Sequence, residues 1–311
     1  MKKIFFWAFA LLVLIYTAIQ HWPVTLHVNG ATSEEDFLIQ MPLKDKKRLD
    51  YFFRNVCFLN AWAYTIIGSK PVSIHHYTKP LAAIKKAIKH LNINYVLFGL
   101  LWPPNFREAC YLFNPEQMRM KLGCDTLIKY IDHFPKSRFS FFNYFSDNNT
   151  VFFAFVDKVK LITVVKQHVE DFQEVLQSLG IDPEELYDNE NLHQFFKGLN
   201  SDGLYGIVLG FGRDNAWLFE KYSRVDLQDS PMMSMWPEED EAWLEKINKK
   251  DLSFQAWDSS DLFYPCFACD PESEETRQLR QTYREEREKI IAYYEGKDVV
   301  EATLSLLSQN R

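Results

Sequence analysis

From Asp157 to Leu179 the apolar residues Ile162, Val165, Val169, Phe172, Leu176 and Leu179 recur in alternating steps of three and four, and Gly180 follows. A strand turns its side chains to opposite faces at every residue and cannot gather that set on one side. A helix can, and a glycine just past its end is a common stop. Lys44–Ile67 repeats the pattern with Leu49, Phe52, Phe53, Val56, Leu59, Ala63 and Ile67, and Gly68 stands in the stop position. The expected fold is therefore mainly α, a multi-helix globular body with at most a small β-hairpin, behind an N-terminal membrane-anchor or signal helix.

Other stretches fill in that body. Helices are expected at Lys79–Leu91, at Pro115–His133 with Gly123 as a weak point, at Pro183–Tyr187, at Asn191–Leu199 and at Pro237–Lys250. A long polar helix is expected over 271–295, capped by Asp270, with Glu274–Arg277 and Arg280–Arg284–Glu288 at helical spacing. Lys70–Tyr77 reads as extended. Arg138–Phe145 and Val151–Phe155 flank Asp147-Asn148-Asn149, which suits a hairpin or a break between helices. The domain plan is a leader at 1–20, a linker at 21–43 and one helical domain at 44–311, with a sub-boundary near 223–260.

The leader carries most of what the sequence says about location. Lys2 and Lys3 precede an apolar run from Ile4 to Ile19, and no Lys or Arg follows until Lys44. This is the pattern of a cleaved signal peptide or a retained signal-anchor. The run is slightly short of the roughly 20 residues that span a bilayer, though Gln20, His21 and Trp22 can sit at the interface. No small-x-small site follows it directly, which favours retention. The positive-inside bias places the body outside the cytoplasm, with a membrane contact through residues 4–19. If the segment is cleaved, the protein is secreted.

Beyond the leader, charge is divided. Pro42–Leu161 carries 18 Lys+Arg against 8 Asp+Glu, whereas Ile162–Arg311 carries 15 against 31. Such a split can dock two halves together, steer a protein partner or simply solvate two faces. Lys85, Lys86 and Lys89 form a basic helix face without interleaved aromatics, which points away from nucleic acid. Five cysteines in 311 residues make no disulfide framework. The sequence sets no oligomeric state.

Candidate sites are few. Gly206–Tyr222 reads GIVLGFGRDNAWLFEKY. A Walker A loop would need a Lys and a hydroxyl after its last glycine, and Gly212 is followed by Arg213-Asp214. A dinucleotide fingerprint would need Gly where Asn215 stands and a second βαβ unit downstream. The better reading is one helix over Gly203–Tyr222, with Gly203, Gly206 and Gly210 forming a smooth stripe for a close helix contact. Arg213, Asp214 and Asn215 would then be the candidate lining of a ligand pocket. Cys266 and Cys269 form a lone CxxC, open to a structural, redox or metal reading, although the acidic turn after it disfavours a reactive thiol. His75 and His76 are adjacent, and in an extended segment they face opposite sides and cannot chelate together. No motif calls for a cofactor, and no G-x-S-x-G, HExxH or SxxK is present.

LGFGRDNAWLFEK within Gly206–Tyr222, and DPESEETRQLRQTYREEREKI from Asp270, together resemble a group of uncharacterised exported proteins from chlamydia-like bacteria. The resemblance implies export and a bacterial envelope, and no activity. The expected role is structural or interactive, in a membrane-tethered extracytoplasmic protein. The alternatives are a small-ligand binder or enzyme with its pocket near Arg213-Asp214-Asn215, and a redox or metal role at Cys266 and Cys269.

Overall fold

The computed structural model describes residues 41–78, 115–131, 138–146, 150–222, 233–236 and 259–308. The chain divides into Met1–Met41 and Pro42–Arg311, and all the described helices and strands belong to the second unit. The apolar run at 4–19, the helices expected at 79–91 and 237–250, and Cys110 lie outside the described residues.

The helical periodicities are real, but the two apolar patterns at 44–67 and 157–179 are each cut. Lys44–Ile67 forms α1 (Leu43–Phe53), a π-helical turn (Arg54–Leu59) and α2 (Trp62–Ile66), with Ala61 left-handed at φ 59° between them. The break puts the Phe58 carbonyl within 2.6 Å of the Phe263 N–H, so a group the helix gives up finds a partner elsewhere. Gly68 does not take the left-handed form of a helix stop. A side chain there would run into the Glu286 carboxylate, so the glycine serves a close approach.

Asp157–Leu179 is likewise two helices, α4 (Lys158–Gln167) and α5 (Val169–Leu179), broken at His168 (φ −121°, ψ 35°). The break re-aims the apolar stripe. Leu161, Val165, Phe172, Val175 and Leu176 are buried, whereas Val169 is 44% exposed. Gly180 is left-handed at φ 65° and ends α5 as the sequence indicates.

Three strands, rather than a hairpin alone, form the antiparallel sheet. They are β1 (Val72–Thr78), β2 (Phe139–Ser146) and β3 (Thr150–Asp157), in the order β1-β3-β2. Ile74 pairs with Ala154 and Phe142 with Ala154 across the central strand, and a register shift interrupts β2 between Asn143 and Phe145. α3 (Pro115–Ile131) packs on α1 through Gly123, where a Cβ would meet the Phe52 side chain, so the expected weak point is a contact point.

Each face of the sheet covers its own core. One face joins Phe52, Trp62, Phe141, Phe153 and Phe155 in an aromatic cluster, with Trp62 stacked on Phe155 at 4.7 Å. The other face presents Val72, Phe142, Ala154 and Val156 to α4, α5, a 3-10 turn (Pro183–Tyr187), α6 (Asn189–Gly198) and α7 (Asp202–Val208). Asp157, fully buried where β3 meets α4, caps α4 and draws in Arg138 at 2.9 Å and Lys160 at 3.1 Å.

The remainder closes the body. α8 (Arg213–Tyr222) follows α7, and β4 (Met233–Ser234) pairs with β5 (Ala268–Cys269). α9 (Glu274–Tyr294) is capped by Ser273 rather than Asp270, and buries Thr276, Tyr283, Ile290 and Tyr294. Its Arg280 and Arg287 donate to the carbonyls of Met235 and Leu262. Glu274–Arg277 is an ion pair on its surface at 2.8 Å. α10 (Val299–Ser308), for which the sequence carries no distinct signal, returns to α1, where Lys46 meets Asp298 at 3.3 Å and Glu301 at 2.7 Å.

Candidate functional site

The glycine stretch is a helical hairpin. Gly210 and Gly212 stand at φ 78° and 87°, a backbone that L side chains rarely adopt, and they turn the chain between α7 and α8. One continuous helix over Gly203–Tyr222 is therefore ruled out. The smooth stripe nevertheless does what such stripes do. A Cβ on Gly206 would lie 2.7 Å from that of Ala216, and one on Gly203 would lie 2.5 Å from the Trp217 ring. The close contact joins two halves of the same segment.

The turn also presents the N-terminus of α8 as a phosphate loop would. Glu275 from α9 occupies it: its carboxylate accepts from the Asp214 N–H at 3.3 Å and the Asn215 N–H at 3.0 Å. The positive end of a helix favours an anion, and here the protein supplies its own.

The polar triplet points three ways. Arg213 makes a two-pronged pair with Asp171, at 2.6 and 2.9 Å, and Trp217 donates to the same carboxylate at 3.2 Å. These donors hold the Asp171 carboxyl below the usual range. Asp214 is exposed. Asn215 is 1% exposed; its amide donates to the Phe211 carbonyl (3.2 Å) and Thr276 hydroxyl (3.0 Å), and its oxygen accepts from the Asp270 N–H (3.1 Å). The three residues tie α8 to α5, α9 and β5.

Cys266 is exposed, and Cys269 is buried in β5 with its thiol pKa raised by that burial. Neither is joined in a disulfide. No group of three or more His, Cys, Asp or Glu is placed to hold a metal among the described residues. His75 and His76 lean on Phe153 and Phe152, their cross-strand partners, from opposite faces of the sheet. Burial lowers the His75 pKa to about 4. Lys70 is buried and donates to the carbonyls of Val72 (2.5 Å) and Leu209 (2.7 Å), and burial brings its pKa down to about 7.

A concave site lies elsewhere, beside the second core, between the sheet and the α6 and α7 segment. It holds about 620 Å³ and is walled by Ile74 of β1, Tyr144 of β2, Phe152 of β3, Phe196 of α6 and Tyr205 of α7. Tyr144 is the hub, with ring centroids 6.2 Å from Phe152, 6.4 Å from Phe196 and 6.4 Å from Tyr205. The Tyr205 hydroxyl donates to the Phe196 carbonyl at 3.1 Å, which fixes its ring against α6. Burial pushes the Tyr144 hydroxyl up to about 12, so it stays protonated and can donate or accept. Lys197 and Asp202 stand at the rim. The depression is open to solvent, and apolar walls with a few polar groups are the usual chemistry of small-molecule sites. No cysteine or histidine is among the described residues that line this cavity. Sequence reasoning missed the site because its walls come from five elements, and only the expected hairpin placed any of them together.

No protein-family model, curated protein or solved structure matches this chain.

Proposed function

We propose that the chain is a membrane-tethered, extracytoplasmic binding protein of a bacterial envelope, which captures a small amphipathic molecule in the aromatic cavity. The observation that carries the binding role is the convergence of Tyr144, Phe152, Phe196 and Tyr205 on one concave site with Lys197 at its rim. Aromatic walls suit a planar apolar group; at the rim Lys197 suits an anionic substituent and Asp202 a cationic one. The tether rests on Lys2, Lys3 and the apolar run Ile4–Ile19, and the resemblance to exported proteins agrees with it. No helix among the described residues is long and apolar enough to cross a membrane.

The probe is 1-anilinonaphthalene-8-sulfonate, an aromatic anion. Titrated into the full chain in mild detergent, it is expected to bind with one-to-one saturation and enhanced fluorescence. Tyr144→Ser and Lys197→Glu should each weaken binding by about ten-fold, the loss of one good contact at roughly 1.4 kcal/mol. Equal binding by wild type and both variants sinks the cavity. Recovery of the native protein in the soluble cytosolic fraction sinks the tether.

A further inference from the structure

A second cavity, at the start of the body, has no part in that binding role. It lies between α1 and α3 and holds about 660 Å³. From α1 come Lys44, Lys47, Arg48 and Tyr51, which at steps of three and four share one helix face. From α3 come Arg119 and Leu122. The Arg119 guanidinium stands 5.3 Å from the Tyr51 ring centroid, over the floor of the groove.

Four cationic groups thus line one concavity, and no carboxylate is among its described lining. The nearest acid on α1 is Asp45, 3.3 Å from Arg48. It is buried and already accepts from Lys129 at 2.9 Å and Tyr130 at 2.7 Å. Leu43 stands at the lip and is 68% exposed. A cationic pocket edged by an exposed leucine suits the boundary between phosphate headgroups and acyl chains. The groove also begins at Leu43, from which residues 20–42 lead back along the chain to the apolar run. A site joined to its bilayer meets it at high effective concentration, so a contact too weak to hold a free protein suffices.

We infer that this groove takes the phosphate of an anionic phospholipid in the membrane to which the chain is tethered, with Leu43 at the acyl boundary. The inference rests on the tether. In nanodiscs, the full chain should show about five-fold slower amide exchange across 43–51 and 115–122 when phosphatidylglycerol is added to phosphatidylcholine. High salt should abolish the difference, as should Lys47→Glu with Arg119→Glu. Lys44→Gln with Lys47→Gln should halve it, and this neutral pair serves if the charge reversals fail to fold. Identical exchange in the two lipids overturns the proposal. So does equal protection by inorganic phosphate in neutral discs, which would make the groove a site for a free anion. Monomeric short-chain phosphatidylglycerol, added to the detergent-solubilised chain, separates the two readings. Protection there without retention in discs removes the tether and keeps the groove. Retention without protection keeps the tether and removes the groove.

Discussion

Asn215 stands where a dinucleotide loop would carry its third glycine, and its burial shows why no glycine would serve. Its amide joins two backbone groups, the Phe211 carbonyl and the Asp270 N–H, and the Thr276 hydroxyl at the start of α9. Replacing it by alanine strands the Phe211 carbonyl and the Asp270 N–H in a partly buried setting. Each orphaned group costs on the order of 1–3 kcal/mol, so Asn215→Ala should lower stability by about 3 kcal/mol in urea unfolding. Arg213→Ala, two residues away, should cost under about 1 kcal/mol, because the guanidinium is nearly half exposed and solvent screens its pair. Equal losses in the two variants would contradict the division between a structural amide and a surface ion pair. The sequence marks both residues as unusual polar neighbours of a glycine turn. It cannot say that one faces inward, since that depends on α9, about sixty residues downstream.

At the scale of elements, periodicity is legible and its interruptions are not. Helices, strand pairing over 139–157 and the stop at Gly180 all follow local patterns. The breaks at Ala61 and His168 do not; the first answers to a partner distant in sequence, since Phe263 takes up the Phe58 carbonyl. Gly206 in the α7–α8 hairpin and Gly180 at the end of α5 are glycines of two kinds, and a substitution series should separate them. Gly206→Ala places a methyl 2.7 Å from that of Ala216, and overpacking of this sort costs about 1–3 kcal/mol. Gly180→Ala meets nothing within 4 Å and bears only the left-handed backbone, about 1–2 kcal/mol. Restoring space by Ala216→Gly should rescue Gly206→Ala by at least half and leave Gly180→Ala unchanged, as read by thermal unfolding. No rescue would mean that the two helices do not touch at that point.

The whole molecule should carry a pH signature from its buried ionisable groups. Burial sets the Lys70 amine at about 7 in the folded chain against an ordinary 10.5. Between those values the unfolded chain holds a proton that the folded one has released, so unfolding becomes harder as pH rises through that window. Below about 7 both states are protonated and the gain is absent. Cys57 and Cys124 act in the opposite sense. Burial raises both to about 12 from an ordinary 9, so the unfolded chain loses its protons first and stability falls above about 9. The unfolding free energy from denaturant titration should therefore climb from pH 7 to a maximum near 9, by about 3 kcal/mol at most, and then decline. Lys70→Met should be flat between pH 7 and 8.5; a climb as steep as wild type would exclude Lys70 as its source. The charge division in the sequence has a smaller structural echo than its size suggests. Lys46 does reach Asp298 and Glu301 across it, but Arg213–Asp171 and Lys166–Glu184 lie wholly within the acidic half.

Glu275 at the head of α8 sets a timetable. A chain that emerges amino end first, from a ribosome or a membrane pore, presents Asp214 and Asn215 long before the residue that caps them, 61 and 60 positions later. At 5–20 residues per second that interval lasts roughly 3–12 s. Throughout it the positive end of α8 and the buried-to-be amide of Asn215 face solvent or whatever anion is near. The arrival of α9 is then the event that caps α8 and closes the hairpin against the rest of the body.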